Sequence, residues 1–221
     1  MTMEVTAEDL GKRSFCEAVM RARLPKAVFK ELKKTIDYGA PLDAAIADSV
    51  AIAMREWAKE LGADFEPDLD KLLVRDDVEA VICDAPTTAH HDILIKAARA
   101  GKHIFTEKAL CPTVAECEEV KKAIEEAGVT FVISYPQRGR PSVLFAKDMI
   151  ARGMFGKITL VRMRDAHAGV SGNWLPDYWF EKKDAAGGAM MDLGCHPMYL
   201  LAYFLGKPKR VTGMFTAPYG K

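Results

Sequence analysis

The stretch Glu79-Ala80-Val81-Ile82-Cys83-Asp84-Ala85-Pro86-Thr87-Thr88-Ala89-His90-His91-Asp92-Ile93-Leu94-Ile95-Lys96-Ala97-Ala98-Arg99-Ala100-Gly101-Lys102-His103-Ile104-Phe105-Thr106-Glu107-Lys108 reads as strand, helix and strand in immediate succession. The short apolar run Glu79 to Cys83 has the length and β-branching of a buried strand. Pro86-Thr87-Thr88 then opens a helix on which Ile93, Leu94, Ala97 and Ala98 share one face, and Gly101 closes it. A second strand, His103-Ile104-Phe105, follows at once and runs into Thr106-Glu107-Lys108. Strands joined through a crossover helix lie parallel, so this unit predicts an α/β fold with a helix-covered parallel sheet.

Toward the C-terminus the pattern repeats. Thr113-Val114-Ala115-Glu116 is a capping box that opens a helix with Cys117, Val120 and Ile124 inward; Gly128 ends it and Val129 to Ser134 forms a third strand. Ligands of such sheets gather at the carboxyl ends of the strands. Pro86 to His90 and Glu107-Lys108 occupy two of those ends. Beyond Gly153, Ile158 to Met163 is expected to be the first strand of a second domain, Asp192 to Leu205 a helix ending at Gly206, and Val211 to Phe215 one more strand.

Toward the N-terminus the texture is helical. After Pro25, Val28, Leu32 and Ile36 recur every four residues up to Gly39; a second stripe, Ile46, Val50, Ala53, Trp57 and Leu61, leads to Gly62. Two antiparallel amphipathic helices are expected. The wording of Val19 to Lys30, Gly39 to Asp43 and Ile46 to Asp48 through Trp57-Ala58 resembles the N-terminal helical region of type III glutamine synthetases. That resemblance stops near Ala63, before any metal-binding carboxylate or nucleotide-binding residue, and implies no ligase activity.

Composition narrows the ligand class. Lys plus Arg and Asp plus Glu each number 31, so no net basic charge argues for nucleic acid or an anionic membrane. No stretch approaches the length of apolar chain a membrane span requires. Five dispersed cysteines without a C-x-x-C pair, and the lack of an apolar leader, fit a reducing cytoplasm. His and Cys do not cluster at zinc-ligand spacing, so no metal is expected.

Residues 65 to 221 resemble the glucose-fructose oxidoreductase and inositol dehydrogenase family, Gfo/Idh/MocA. The resemblance rests on Asp76 to Ile82, Pro86-Thr87-Thr88-Ala89-His90, Ala100 to Lys108, and Gly187-Gly188-Ala189-Met190-Met191-Asp192-Leu193-Gly194-Cys195-His196-Pro197. It implies NAD or NADP as cofactor, a sugar, cyclitol or related polyol as substrate, and a Rossmann domain followed by an α/β substrate domain. It implies catalytic roles for Lys108, Asp192 and His196. Cofactor contacts are implied for Pro86, Thr87, His90, Glu107, Lys108, Gln137 and Arg138, with His90 and His91 reading equally well as ordinary first-turn helix residues. Trp174 and Trp179, with Tyr178, lie in a Gly- and Pro-punctuated loop suited to stacking on a sugar, with packing over the sheet as the plainer alternative. Chemistry agrees with the catalytic set. A neutral imidazole suits removal of an alcohol proton, an ammonium stabilises the developing oxyanion, and a carboxylate can orient the ring.

Two departures qualify the expectation. The family's usual Glu-Lys-Pro is Glu107-Lys108-Ala109 here, which is expected to loosen the loop around Lys108. The G-x-G-x-x-G turn of a dinucleotide domain is absent from the sequence. The expected organisation is therefore a helical segment over 1–64, a partial Rossmann-type parallel sheet lacking its first β-α-β unit over 65–136, and a truncated α/β substrate domain over 137–221. Loss of the pyrophosphate amides, each hydrogen bond worth about 1.5–3 kcal/mol, would weaken cofactor binding and impair turnover. The alternative expectation is a non-catalytic chimeric or truncated product. Homo-oligomerisation is left open.

Overall fold

The computed structural model describes residues 52, 54–172, 185–214 and 216. The first expected N-terminal helix, and Ile46, Val50 and Ala53 of the second, lie outside the described residues, as do Trp174, Tyr178 and Trp179. The chain divides into two units, residues 1–72 with 176–178, and residues 73–175 with 179–221.

In the first unit, residues 54–60 are helical and the turn after them includes Gly62, as the apolar stripe and its glycine predict. Ala63 N–H donates back to the Ala58 carbonyl at 2.8 Å. Trp57 is half-buried, whereas Leu61 is 66% exposed and sits beyond the last helical turn. The Arg55 guanidinium lies over the Phe65 ring at 5.8 Å.

The second unit is built on three parallel strands in the order of the sequence, β1 (Ala80–Cys83), β2 (His103–Thr106) and β3 (Phe131–Ile133). Ala80 pairs with His103 and Cys83 with Thr106; Ile104 pairs with Phe131 and Thr106 with Ile133. Helix α1 (Thr87–Arg99) links β1 to β2, and α2 (Val114–Ala127) links β2 to β3. Strand alternation puts Cys83, Ile104 and Thr106 on the covered side of the sheet. The α1 stripe of Leu94, Ala97 and Ala98 and the α2 residues Val120 and Ala123 complete this core. On the other side of the sheet, Ile82, Phe105 and Val132 stand in one cross-strand row at 78%, 41% and 48% exposure.

The caps follow the sequence. Thr113 Oγ1 accepts the Glu116 N–H at 3.2 Å while Glu116 Oε2 accepts the Thr113 N–H at 2.9 Å. At the far end Gly128 takes φ 66°, a left-handed conformation that a side chain disfavours, and its N–H reaches the Ile124 carbonyl at 3.0 Å.

After β3 comes a single 3-10 turn, Pro136–Gly139, then α3 (Pro141–Ala151) and, later, α4 (Gly188–Asp192) and α5 (Cys195–Leu205). The chain departs from expectation in three places. Residues 158–163 are not a strand: no described segment pairs with them, and Leu160 is 81% exposed. Val211 to Met214 are likewise outside any ladder, and Phe215 lies outside the described residues. A strand is stable only through a partner, which a run of β-formers cannot supply by itself. The third departure is the interruption between α4 and α5, within what the sequence presents as one helix.

Candidate functional site

Lys108 leaves the carboxyl end of β2 through Glu107, whose N–H donates to the Cys83 carbonyl at 3.0 Å and carries the ladder one residue past the strand. The Glu107 carboxylate accepts the Lys108 N–H at 3.2 Å, and the Lys108–Ala109 peptide bond is cis. Behind this loop sits the His90 ring, 0% exposed. Its Nδ1 lies 3.0 Å from the Ala109 oxygen and 3.1 Å from the Leu110 oxygen, while Nε2 lies 2.8 Å from the Ala85 oxygen.

Those contacts correct two expectations. His90 does not face a cofactor, because main-chain carbonyls enclose its ring on both sides. The loop that carries alanine in place of proline is tied down by the same imidazole, which bridges it to the loop after β1. Pro86 and Thr87 stand at the start of α1, Pro86 exposed and Thr87 half-buried, and no side chain caps that helix. The Ala89 N–H turns back to the Pro86 carbonyl at 2.8 Å, and the Thr87 and Thr88 amides at this helix start have no side-chain cap.

The Lys108 ammonium reaches across to Asp192. Nζ donates to Asp192 Oδ1 at 2.6 Å and to the Asp192 main-chain oxygen at 2.9 Å. The two side chains are 20% and 21% exposed, so the pair is shielded but not sealed from solvent. An ammonium has three hydrogens to donate. Two go to Asp192, and the third is available to a ligand oxygen.

The helix break explains why that main-chain oxygen is accessible. In an unbroken helix the Asp192 carbonyl would accept the His196 N–H. Here the His196 N–H goes to the Leu193 carbonyl at 3.1 Å, and Leu193 and Gly194 both donate to the Ala189 carbonyl, at 2.9 and 3.1 Å. The freed Asp192 oxygen takes Lys108 Nζ and the Cys195 thiol, whose Sγ lies 3.3 Å away. Gly194 permits the bend: a Cβ there would strike the Met190 carbonyl and lie 2.7 Å from the Met190 sulfur.

His196, in the first turn of α5, is held in a field set by this pair. Burial pushes its pKa below the ordinary histidine value and the Lys108 charge lowers it further, with Asp165 and Asp192 opposing and Arg140 adding to the depression. The ring is accordingly neutral near pH 7, the state in which it can accept a proton. Burial also raises the Cys195 thiol, which keeps it protonated and out of nucleophilic chemistry. His196 Nδ1 meets the Tyr199 hydroxyl at 2.9 Å.

The structure thus joins Lys108 to Asp192 directly, while His196 contacts Tyr199 and feels the charges of both. Gln137 and Arg138 are turned to other partners. The Gln137 N–H donates to the Tyr199 hydroxyl at 3.2 Å, its amide Nε2 donates to Asp165 Oδ2 at 3.2 Å, and the Arg138 guanidinium lies over the Tyr203 ring at 4.6 Å. Sequence reasoning missed His167, whose Nε2 stands 4.0 Å from Asp192 Oδ2, and Tyr199. No local pattern marks His167. Tyr199 could have been found, since a residue three positions after His196 on a helix lies on the same face. Among the described residues no group of three or more His, Cys, Asp or Glu side chains could hold a metal ion, and no helix is long and apolar enough to cross a membrane.

Parallel strands joined by crossover helices, with Lys108 just past a strand's carboxyl end, define a Rossmann-type α/β protein. The family is equally plain: residues 32–135 match the model of the GFO/IDH/MocA oxidoreductase family with an NAD-binding Rossmann fold, residues 143–221 match the GFO/IDH/MocA C-terminal domain, and the chain belongs to that family. The first match begins at residue 32, inside the N-terminal segment of helical sequence pattern.

Over 101 residues the chain is 39% identical to 2,7-anhydro-N-acetylneuraminate hydratase of Mediterraneibacter gnavus, covering 46% of this chain and 27% of that protein. Over 171 residues it is 31% identical to scyllo-inositol 2-dehydrogenase (NAD(+)) of Bacillus subtilis, covering 76% and 47%. It superposes on levoglucosan dehydrogenase, solved with NADH and levoglucosan, with a TM-score of 0.62 at 28% identity, over 69% of this chain and 42% of that one. The chain therefore spans less than half the length of each of these relatives.

Proposed function

We propose that this chain is an NAD- or NADP-dependent oxidoreductase that moves hydride between a sugar, cyclitol or related alcohol and a nicotinamide. The observation that carries the reading is the contact of Lys108 Nζ with Oδ1 and the main-chain oxygen of Asp192, with His196 in the same field, in a chain of this family. The domain assignment goes with it: residues 65–136 as the cofactor side and 137–221 as the substrate side.

The residues present fit the nicotinamide end of such a cofactor. The uncapped start of α1 offers amide donors beside Pro86 and Thr87, and Glu107 and Lys108 form the neighbouring strand end. When bound, the nicotinamide would supply the hydride acceptor. The chain's own part is to manage the proton. His196 takes the hydroxyl proton of the alcohol at its open ring nitrogen, and the remaining N–H of Lys108 steadies the negative charge that grows on that oxygen. Asp192 holds the ammonium in place and keeps the local charge balanced. Trp174 and Trp179 are assigned to stacking against the substrate ring, and the family's relatives named for polyols support that substrate class. The even charge balance and the scattered cysteines support a cytoplasmic setting. The glutamine synthetase likeness of residues 14–63 adds no activity to this reading.

Fluorescence titration with NADH and NADPH, followed by turnover assays on a panel of sugars and inositols, tests the proposal. Saturation below millimolar but weakened by the missing G-x-G-x-x-G turn, with slow turnover of at least one polyol, is expected. Binding that saturates nowhere below millimolar would leave a family member without catalysis.

A further inference from the structure

Tyr199 takes no part in the proton scheme above, yet it is the fixed neighbour of the proposed base. Its hydroxyl meets His196 Nδ1 at 2.9 Å and accepts the Gln137 main-chain N–H at 3.2 Å. Its ring stacks on Tyr135 with centroids 4.3 Å apart and planes at 29°, and meets the His196 ring edge-on at 5.5 Å and 80°. Three independent contacts, one of them to the rigid turn after β3, hold the phenol in place.

A phenolic oxygen has two lone pairs and one hydrogen. The Gln137 amide, which can only donate, fills one lone pair. We propose that Tyr199 is a positioning residue that sets the tautomer of His196, accepting the Nδ1 hydrogen through its second lone pair so that Nε2 is left bare for the alcohol proton. With the opposite polarity Nε2 would carry the hydrogen, and the ring could not act as a base. The proposal rests on the reading of His196 as that base.

The phenol suits the task because it is neutral. Burial raises the Tyr199 pKa, so the hydroxyl keeps its proton across the working range, and in the proposed arrangement the half-exposed side of the residue leaves that proton to solvent. The charged groups that face His196 are Lys108 from the loop after β2, Arg140 at the start of α3, Asp165, and Asp192 from α4. A neutral acceptor fixes the tautomer without adding to this set. A carboxylate in its place would favour the imidazolium and fill the base with a proton in advance.

The test is ring 15N NMR of the intact, 15N-histidine-labelled protein across pH, with His196→Gln used to assign the signal. The wild type is expected to show the Nδ1-protonated tautomer. Tyr199→Phe keeps the ring stack but removes the acceptor. It should move the hydrogen to Nε2 and lower the titration midpoint further, because the imidazolium loses a partner. Tyr199→Glu should move the midpoint up. An Nε2-protonated wild type, or a tautomer and midpoint unchanged in Tyr199→Phe, overturns the proposal.

Kinetics give a separate arm. Tyr199→Phe should lower kcat for alcohol oxidation about 100-fold while KM holds. The NMR signal needs no turnover. A tautomer that switches in Tyr199→Phe while no polyol is oxidised would sustain the positioning role and count against the oxidoreductase reading alone.

Discussion

The loop after β2 and the bend between α4 and α5 each deliver one half of the Lys108–Asp192 pair, by opposite means. The loop is an extension of regular structure: Glu107 continues the β ladder, and the buried His90 ring pins Ala109 and Leu110 from behind. The bend is an interruption of regular structure. Asp192 can offer a main-chain oxygen to Lys108 only because the helix fails to use it. One side of the pair is thus positioned by satisfying backbone groups, the other by releasing one. Damage to the two regions should therefore differ in kind.

The largest effect should come from removing the group on which both regions converge. Lys108→Met takes away the oxyanion partner and leaves the Asp192 carboxylate without its cation; kcat for polyol oxidation is expected to fall about 10²- to 10³-fold by steady-state NADH formation. Equal activity in this variant would show that the pair is a structural ion pair only.

Gly194→Ala attacks the bend. The new methyl meets the Met190 carbonyl, and a cost of about 1–3 kcal/mol in thermal or denaturant unfolding should accompany a loss of activity, since Asp192 and His196 shift together. His90→Leu attacks the loop at similar volume, leaving the Ala85, Ala109 and Leu110 carbonyls without their imidazole, at about 1–3 kcal/mol in the same unfolding measurement. If His90→Leu lost activity with no loss of stability, the ring would be a ligand contact after all and the two regions would be less distinct than the hydrogen bonds make them.

A gentler probe is pH. His196 has a pKa lowered from the ordinary 6.5 by burial and then by Lys108. The base works when neutral, so kcat/KM for oxidation should be flat above that ordinary value and fall as pH drops through the lowered one. An acid limb centred above 6.5 would mean that a different group takes the proton. The smallest effect belongs to the far end of the loop after β2, where α2 begins. Thr113→Ala removes one half of the α2 capping box and should cost about 1 kcal/mol, read as a modest drop in Tm with kinetics unchanged.

What the sequence made legible follows the same division. The strands, the α1 and α2 faces, the capping box at Thr113 and the terminal Gly128 were all readable, because each depends on neighbours within one helical turn or one strand. Lys108 was readable because it sits at a strand end. The helix break had only a partial signal: Gly194 and Pro197 are helix-breaking residues in a stretch otherwise readable as one helix, and the close approach of Gly194 to Met190 fixes where the bend falls. His90 stayed between two readings for a related reason. A histidine at the start of a helix looks the same in sequence whether it meets a ligand or the carbonyls of its own preceding loop and a second loop. The segments at 158–163 and 211–214 have strand composition, but composition cannot name a partner.

The double contact of Lys108 with Asp192 carries a chemical consequence for any replacement. A compact tetrahedral head can share its hydrogens between a carboxylate and a carbonyl that lie in different directions, and still present one to a third atom. A flat guanidinium sends its hydrogens out in one plane and would match at most the carboxylate. Arginine would thus keep the positive charge but forfeit the branching on which recognition of an outside oxygen depends, so at this position shape, more than sign, selects the residue.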